Sequence, residues 1–213
     1  MRTDGWGFII SETSGSPSNM GDSCAETARL AHLNQRLGWP YNENLDKFRT
    51  DIGYVRHPSP ELPLDWRESD FSSDQALPLY LAYRSIRYQF YAEEMKETIK
   101  RAGWRTGNGT LVNPLFFSLL VGKRWLINLA VAGQSLIFKI PFRWSDSKKK
   151  FESTSEASGD YLNWFHASLY ASPWARRLVP PSVMIQKLEH YYRNEPNSKE
   201  LINLYKRVIE KEY

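Results

Sequence analysis

The sequence predicts an all-α, or nearly all-α, fold in which helical hairpins surround a cleft, built as a single domain over residues 1–213. Apolar residues recur at three- and four-residue intervals through several stretches, the spacing that places them on one face of a helix. Short runs rich in Gly, Pro and Ser separate these stretches. Hydrophobic residues make up 41% of the chain and aromatic residues 14%, which supplies a buried core and excludes a disordered chain.

The N-terminal third is predicted to hold one full helix and a short one. Residues 5–10 are expected to form a short strand or an extended arm, and this is the β element of the fold. The first helix begins near Asp22 or Ser23, where the helical spacing of apolar residues starts, and it ends before Gly38. A short helix follows over residues 44–49, and a proline-containing connection then leads to the next helix.

One long helix is predicted from about residue 73 to residue 102, because a broad apolar face runs through it and Gly103 supplies a C-terminal signal. Pro78 lies beyond the first turn and is expected to bend this helix. Residues 145–158 are charged and rich in Ser, and we expect an exposed loop there. Further helices are expected at about 113–121, 123–133, 159–171, 182–193 and 198–212.

Charge and cysteine content limit the partners and the compartment. The net charge is +4 and the isoelectric point is near 9.1, but the basic residues are scattered, so no nucleic-acid partner is expected. Cys24 is the only cysteine and cannot form an internal disulfide, which favours a reducing compartment. The N-terminus lacks the apolar segment of a signal peptide.

The stretch from Leu111 to Trp144 is strongly apolar, and it is the one part of the sequence that suggests a membrane segment. Lys123 and Arg124 divide it, and the run that begins at Gly133 interrupts its second half. A helix that spans a bilayer needs about 20 consecutive apolar residues, and each piece here is shorter. We therefore expect a buried helix or hairpin, and no membrane as a partner.

Two polar clusters stand out in this apolar chain, Gly21–Thr27 and Ser69–Gln75. Each places acids and hydroxyls directly before or at the start of a predicted helix, and in each cluster two acids are four residues apart, on one helical face. Enzymes that cleave glycosidic bonds use two carboxyl groups about 5–9.5 Å apart. One acid from each cluster meets that need if the two helix starts converge across a cleft.

The catalytic hypothesis therefore takes Asp22 and Asp74 as the two carboxylates of a hydrolase or lyase that acts on a polysaccharide. The abundant aromatic residues suit stacking on sugar rings. The residues expected to bind or orient the substrate are Glu26, Arg56, His57, Asp70 and Gln75.

A structural interpretation explains much of the same pattern. Asp and Ser are good helix caps, acids in a first turn are favoured by the helix dipole, and Ser72 with Gln75 has the spacing of a capping box. Arg56 then pairs with Asp70 or Asp74 as a structural ion pair.

No metal site or cofactor is expected, since the four histidines are dispersed and no glycine-rich phosphate loop is present.

The same segments carry a resemblance to a known family. Gly-Asp-Ser at 21–23, Arg-His-Pro at 56–58 and Asp-Phe-Ser-Ser-Asp-Gln-Ala-Leu-Pro at 70–78 resemble a family of uncharacterised bacteriophage and prophage proteins, which have Gly-Asp-Ser/Thr, Arg-x-Pro and Ser-Arg-Asp-Gln segments. Ser73 stands where the family has Arg. The similarity covers about the first 90 residues.

This resemblance implies a phage-related protein in the host cytoplasm or in the virion, and it brings no known activity. Acids at the starts of helical hairpins are also similar to the α/α-toroid carbohydrate enzymes, at the level of the fold. The rival to the catalytic hypothesis is a non-catalytic phage protein that binds a host protein, a virion protein or a small ligand.

Overall fold

The computed structural model describes residues 3–9, 23–50, 53–58, 71–85, 88–107, 109–139, 142–145, 150–153, 158–178, 181–192 and 198–213. It confirms an all-α fold with short β elements. The predicted arrangement of hairpins around a central cleft, as in an α/α-toroid, stays a prediction.

Helices account for most of the described chain. A 3-10 helix covers Asn44–Phe48. The α-helices are α1 (Ser23–Leu37), α2 (Ser73–Ser85), α3 (Gln89–Arg101), α4 (Pro114–Val121), α5 (Arg124–Lys139), α6 (Ser158–Ser168), α7 (Pro173–Arg176), α8 (Pro181–Tyr191) and α9 (Ser198–Glu212).

The strands form two small antiparallel pairs. β1 (Arg49–Thr50) pairs with β2 (Gly53–Tyr54), and β3 (Phe142–Ser145) pairs with β4 (Lys150–Ser153). The expectation of a loop over residues 145–158 was therefore wrong for Ser145 at the end of β3, for β4, and for the first residue of α6. In the region of the expected N-terminal strand or extended arm, Thr3 and Ile9 form an isolated β-bridge.

The long helix predicted from residue 73 to residue 102 was wrong, because two helices, α2 and α3, occupy this range. α2 continues through Pro78 and ends at Ser85. The Ser85 hydroxyl donates to the Leu81 carbonyl at 2.7 Å and also bonds the Tyr170 hydroxyl. Apolar residues continue in the sequence beyond Ser85, so an apolar pattern read from sequence does not register this end.

Local signals explain α4 well. Asn113 caps it by accepting the Phe116 N–H at 2.8 Å, Pro114 occupies the first turn, and Gly122 ends it in the left-handed region at φ 73°. These are the preferred residues at those three positions.

One contiguous hydrophobic core joins the helices. α1 packs chiefly against α2, and α2 also contacts α3 and α6. Tyr83 of α2 lies in this core and donates its hydroxyl to the Leu45 carbonyl at 2.8 Å, which fixes the 3-10 helix on α2. Among the described residues, no helix is both long enough and apolar enough to cross a membrane.

Candidate functional site

The two polar clusters of the sequence meet at the adjacent starts of α1 and α2. The N–H of Ala25, in the first turn of α1, donates to the Oε1 atom of Gln75, in the first turn of α2, at 3.1 Å. The N–H of Cys24 donates to the carbonyl of Arg56 at 3.0 Å. The first N–H groups of a helix have no partner within the helix, so α1 is capped here by two distant parts of the chain.

A buried polar network extends inward from these helix starts. Glu26 Oε1 accepts from Arg29 Nη1 at 2.7 Å, and Glu26 Oε2 accepts from the hydroxyl of Tyr192 at 2.8 Å. Arg29 Nη2 donates to Asn163 Oδ1 of α6 at 3.1 Å. Glu26 and Arg29 are each 3% exposed. Buried charges must be paired, so Glu26 serves here as one half of an interior ion pair.

Asp74 lies at the outer end of the same network. Its Oδ1 atom accepts from Asn163 Nδ2 at 3.2 Å, and its side chain is exposed whereas Asn163 is buried. The Asn163 amide thus bridges an exterior carboxylate and the interior guanidinium of Arg29. This bridge holds Asp74 in a defined position at the surface.

Two buried hydroxyls accompany the acids. Ser23 is the first residue of α1 and Ser73 the first residue of α2, and both are buried. Neither Oγ atom has a hydrogen-bond partner within the described part of the chain. Both hydroxyls therefore retain hydrogen-bonding capacity, directly beside Asp22 and Asp74 in the sequence.

His57 is bonded to the N-terminal segment. Its Nε2 atom lies 2.7 Å from Asp4 Oδ2, and its ring meets that of Phe8 edge-on. Burial lowers the pKa of His57, and the bond to Asp4 opposes that change. Asp4 Oδ1 also accepts the N–H groups of Trp6 and Phe8 at 2.9 Å. These contacts give His57 a structural role.

The seven predicted site residues are therefore distributed as follows. Glu26, Asp74 and Gln75 gather at the paired helix starts, and Arg56 adjoins them through its carbonyl, while His57 binds Asp4. Asp22 and Asp70 lie outside the described residues.

Sequence reasoning missed three members of the network: Arg29, Asn163 and Tyr192. Asn163 carried a weak signal, since it shares a helical turn with His166 and is polar within an aromatic stretch. Arg29 follows Glu26 by three residues, the spacing of an ion pair on one helical face. Tyr192 carried no signal, because its contact with Glu26 joins parts of the chain that are 166 residues apart.

An apolar pocket of about 490 Å³ adjoins the other side of the α2 start. The Tyr54 and Phe71 rings stack there with centroids 5.6 Å apart. The Tyr54 hydroxyl is buried and has no partner among the residues described. An apolar pocket with a few polar groups is the usual form of a small-molecule site. The lining residues are Gly53, Tyr54, Phe71, Ala76, Met95, Thr98, Ile99, Ala102, Arg105, Thr106 and Gly107.

In the described ranges, no group of three or more His, Cys, Asp or Glu side chains is placed to hold a metal ion. Comparisons with known proteins add no further guide. No protein family, no curated protein and no solved structure matches the chain.

Proposed function

We propose that the protein is a phage-related hydrolase or lyase that cleaves a glycan with Asp22 and Asp74 as its two carboxyl groups. The observation that supports this most is the hydrogen bond from the Ala25 N–H to Gln75 Oε1. It joins the two helix starts that carry these acids: Asp74 directly precedes Gln75, and Asp22 lies three residues before Ala25. Such an arrangement suits two carboxyls about 5–9.5 Å apart.

The two acids take different roles. Asp74 lies in the first turn of α2, where the helix dipole favours a negative charge, and its Oδ1 atom accepts from Asn163. Asp74 therefore serves as the base and Asp22 as the acid. In hydrolysis, Asp22 gives its proton to the glycosidic oxygen as the bond from that oxygen to the anomeric carbon breaks. Water bonds to the anomeric carbon and gives a proton to Asp74.

In the lyase version of the reaction, Asp74 instead removes the proton next to the carboxylate of a uronic acid. A carbon–carbon double bond forms as the glycosidic oxygen leaves and takes the proton of Asp22. Arg56 and Asp70 then bind the sugar, while Gln75 holds the paired helix starts together and Glu26 holds Arg29 in place.

Product analysis tests this function. The protein is incubated with host cell-wall and capsular glycans, and the products are followed by mass spectrometry. Hydrolysis adds one water for each bond cleaved, whereas a lyase adds none. Asp22→Asn and Asp74→Asn should each lower the rate by about 10²–10⁴-fold, the usual contribution of general acid–base catalysis.

The matched control is Asp46→Asn, at an exposed acid of the 3-10 helix, which should cleave as the wild type does. Equal product from the wild type and both site variants would exclude the catalytic roles of Asp22 and Asp74.

A second candidate function is a non-catalytic phage protein that binds a small ligand or a host protein. The apolar pocket beside Tyr54 favours the ligand version, because apolar walls with a few polar side chains such as Thr98 and Arg105 are the usual form of a small-molecule site. A fragment library observed by ligand-detected NMR tests it. Thr98→Trp, which fills the pocket, should abolish fragment binding, and Lys100→Trp, on the same helix but outside the lining, should not. A fragment that binds both variants equally would place its site elsewhere.

A further inference from the structure

We propose that the outer face of α4 and α5 docks on the surface of an anionic phospholipid bilayer. This face contains a line of exposed apolar side chains on α5, which we call the α5 stripe: Trp125, Leu129 and Leu136 are 66%, 62% and 65% exposed. At 100° per residue, the three lie within about 40° of one another around the helix axis. The opposite face of α5 is buried through Ile127 and Val131, so this helix is apolar on both sides.

The apolar surface continues beyond the stripe. A groove of about 370 Å³ separates α4 from α5, and Leu129 belongs both to this groove and to the stripe. Large contiguous apolar surfaces are uncommon on monomeric proteins and mark sites of interaction. The groove is lined by Pro114, Leu115, Phe117, Leu126, Leu129, Ala130, Gly133 and Gln134.

The charge of the sequence stretch that contains this face indicates the partner. Residues 98–145 contain no Asp or Glu. The whole chain has 24 acids in 213 residues, and at that frequency a stretch of this length would contain about five. The same stretch contains seven cations: Lys100, Arg101, Arg105, Lys123, Arg124, Lys139 and Arg143. Lys123 and Arg124 are exposed at the start of α5, directly before Trp125. The partner should therefore be negatively charged.

An anionic bilayer meets both requirements. Its headgroups attract Lys and Arg, and its acyl boundary accepts Trp and Leu from a helix that lies in the plane of the interface. A second copy of this chain is disfavoured, because it would bring cations against cations. The 16 residues of α5 are too few to span a bilayer, but a helix lying in the interface does not need to span.

This inference differs from the sequence-based expectation that no membrane is a partner, because it concerns a helix that lies on the bilayer and does not span it. The sequence correctly indicates that the apolar stretch is too short to cross a bilayer. It does not reveal that Trp125, Leu129 and Leu136 face outward, because a helix that is apolar on every side is normally predicted to be buried.

Co-sedimentation with vesicles tests the proposal. The full chain should bind vesicles of phosphatidylglycerol and phosphatidylcholine at least tenfold more tightly than vesicles of phosphatidylcholine alone, and salt should weaken the binding. The triple variant Trp125→Ser/Leu129→Ser/Leu136→Ser should reduce it at least tenfold. Lys123→Gln/Arg124→Gln should reduce it and flatten the salt dependence.

The matched control is Phe90→Ser, at an aromatic side chain that is 75% exposed on α3, and this variant should bind as the wild type does. All the substituted side chains are exposed, so circular dichroism should report the same helix content throughout. Failure to bind the anionic vesicles, or equal loss with Phe90→Ser, would overturn the proposal. The proposal would also be overturned if the protein did not bind vesicles and the triple variant instead abolished a dimer in solution or a complex with an acidic protein.

Discussion

Gln75 accepts the backbone N–H of Ala25 at 3.1 Å, so the first turn of α2 caps the first turn of α1. The two residues are 50 positions apart, and both are buried. A single side chain thus sets how the two polar clusters meet. Any function that needs acids from both clusters depends on this bond for its geometry.

Loss of the Gln75 cap should weaken the fold. Gln75→Ala leaves the buried N–H of Ala25 without its partner, and an unsatisfied buried donor costs about 1–3 kcal/mol. Urea unfolding should show a lower free energy of unfolding by that amount. Gln186→Ala, at an exposed glutamine of α8, is the control and should change the free energy of unfolding by less than about 0.5 kcal/mol. An unchanged midpoint for Gln75→Ala would mean that another group replaces the cap.

The Glu26–Arg29 ion pair gives a second prediction. Arg29→Met leaves the Glu26 charge buried without its cation, which costs about 3–5 kcal/mol. Adding Glu26→Gln removes that charge, so the double variant should be more stable than Arg29→Met alone. A double-mutant cycle by urea unfolding measures this coupling. Additive losses would show that the two side chains contribute independently of each other.

Much of the fold could be predicted from the sequence, because local patterns determine it. The predicted bounds of α4, α8 and α9 lie within two residues of the observed ones. The end of α2 had no comparable local signal, since apolar residues continue in the sequence beyond Ser85. The Ser85 hydroxyl bonds Tyr170 from a different part of the chain, and no spacing rule includes that contact.

The candidate site was less predictable, for the same physical reason. The sequence pointed to Asp74 and Gln75, since acids and amides at a helix start are visible as a cluster. It could not separate Glu26, which is paired in the interior, from Asp74, which is exposed, because the burial of Glu26 depends on tertiary contacts such as its bond from Tyr192. Asn163, the bridge between Asp74 and Arg29, becomes visible only in three dimensions.

The C-terminus gives a third prediction, through Arg176 of α7. Its Nη1 atom donates to the backbone carbonyl and to Oε2 of Glu212, at 2.6 and 2.7 Å. Arg176→Met should therefore cost about 1.5–3 kcal/mol, the range for hydrogen bonds to charged groups. Arg176→Lys should recover only part of this, since an ammonium lacks the planar fork of a guanidinium. Hydrogen exchange should show faster opening of α9, and unchanged protection there would contradict the prediction.

The fourth prediction concerns pH, through the buried pair His32 and His166. Their Nδ1 atoms lie 2.9 Å apart. His32 Nε2 contacts the Tyr170 hydroxyl at 3.2 Å, and His166 Nε2 contacts the Tyr205 hydroxyl at 3.0 Å. Burial, followed by the charge of Arg36, lowers the pKa of His32 from 6.5 to about 3. Burial, together with His32 and nearby arginines, holds the pKa of His166 well below 6.5.

Both rings therefore stay neutral in the folded protein at a pH where the unfolded chain binds protons. The unfolded state gains the extra protons as the pH falls below about 6.5, so the stability that these histidines contribute is present above that pH and is lost toward pH 3. Between pH 7 and pH 5, His32 should lower the free energy of unfolding by about 2 kcal/mol, and His166 should lower it further in the same direction. His57 acts in the same direction, since burial also lowers its pKa.

Urea unfolding at pH 7, 6 and 5 measures this loss. The double variant His32→Asn/His166→Asn should be less stable at pH 7, because asparagine does not fill the volume of either ring, but its free energy of unfolding should fall less steeply with pH. The titration of the pair is measured by the difference between the two proteins in the slope of the free energy of unfolding against pH. The difference in stability at one pH does not measure it. Parallel pH profiles for the wild type and the double variant would mean that the acid sensitivity comes from groups other than these two histidines.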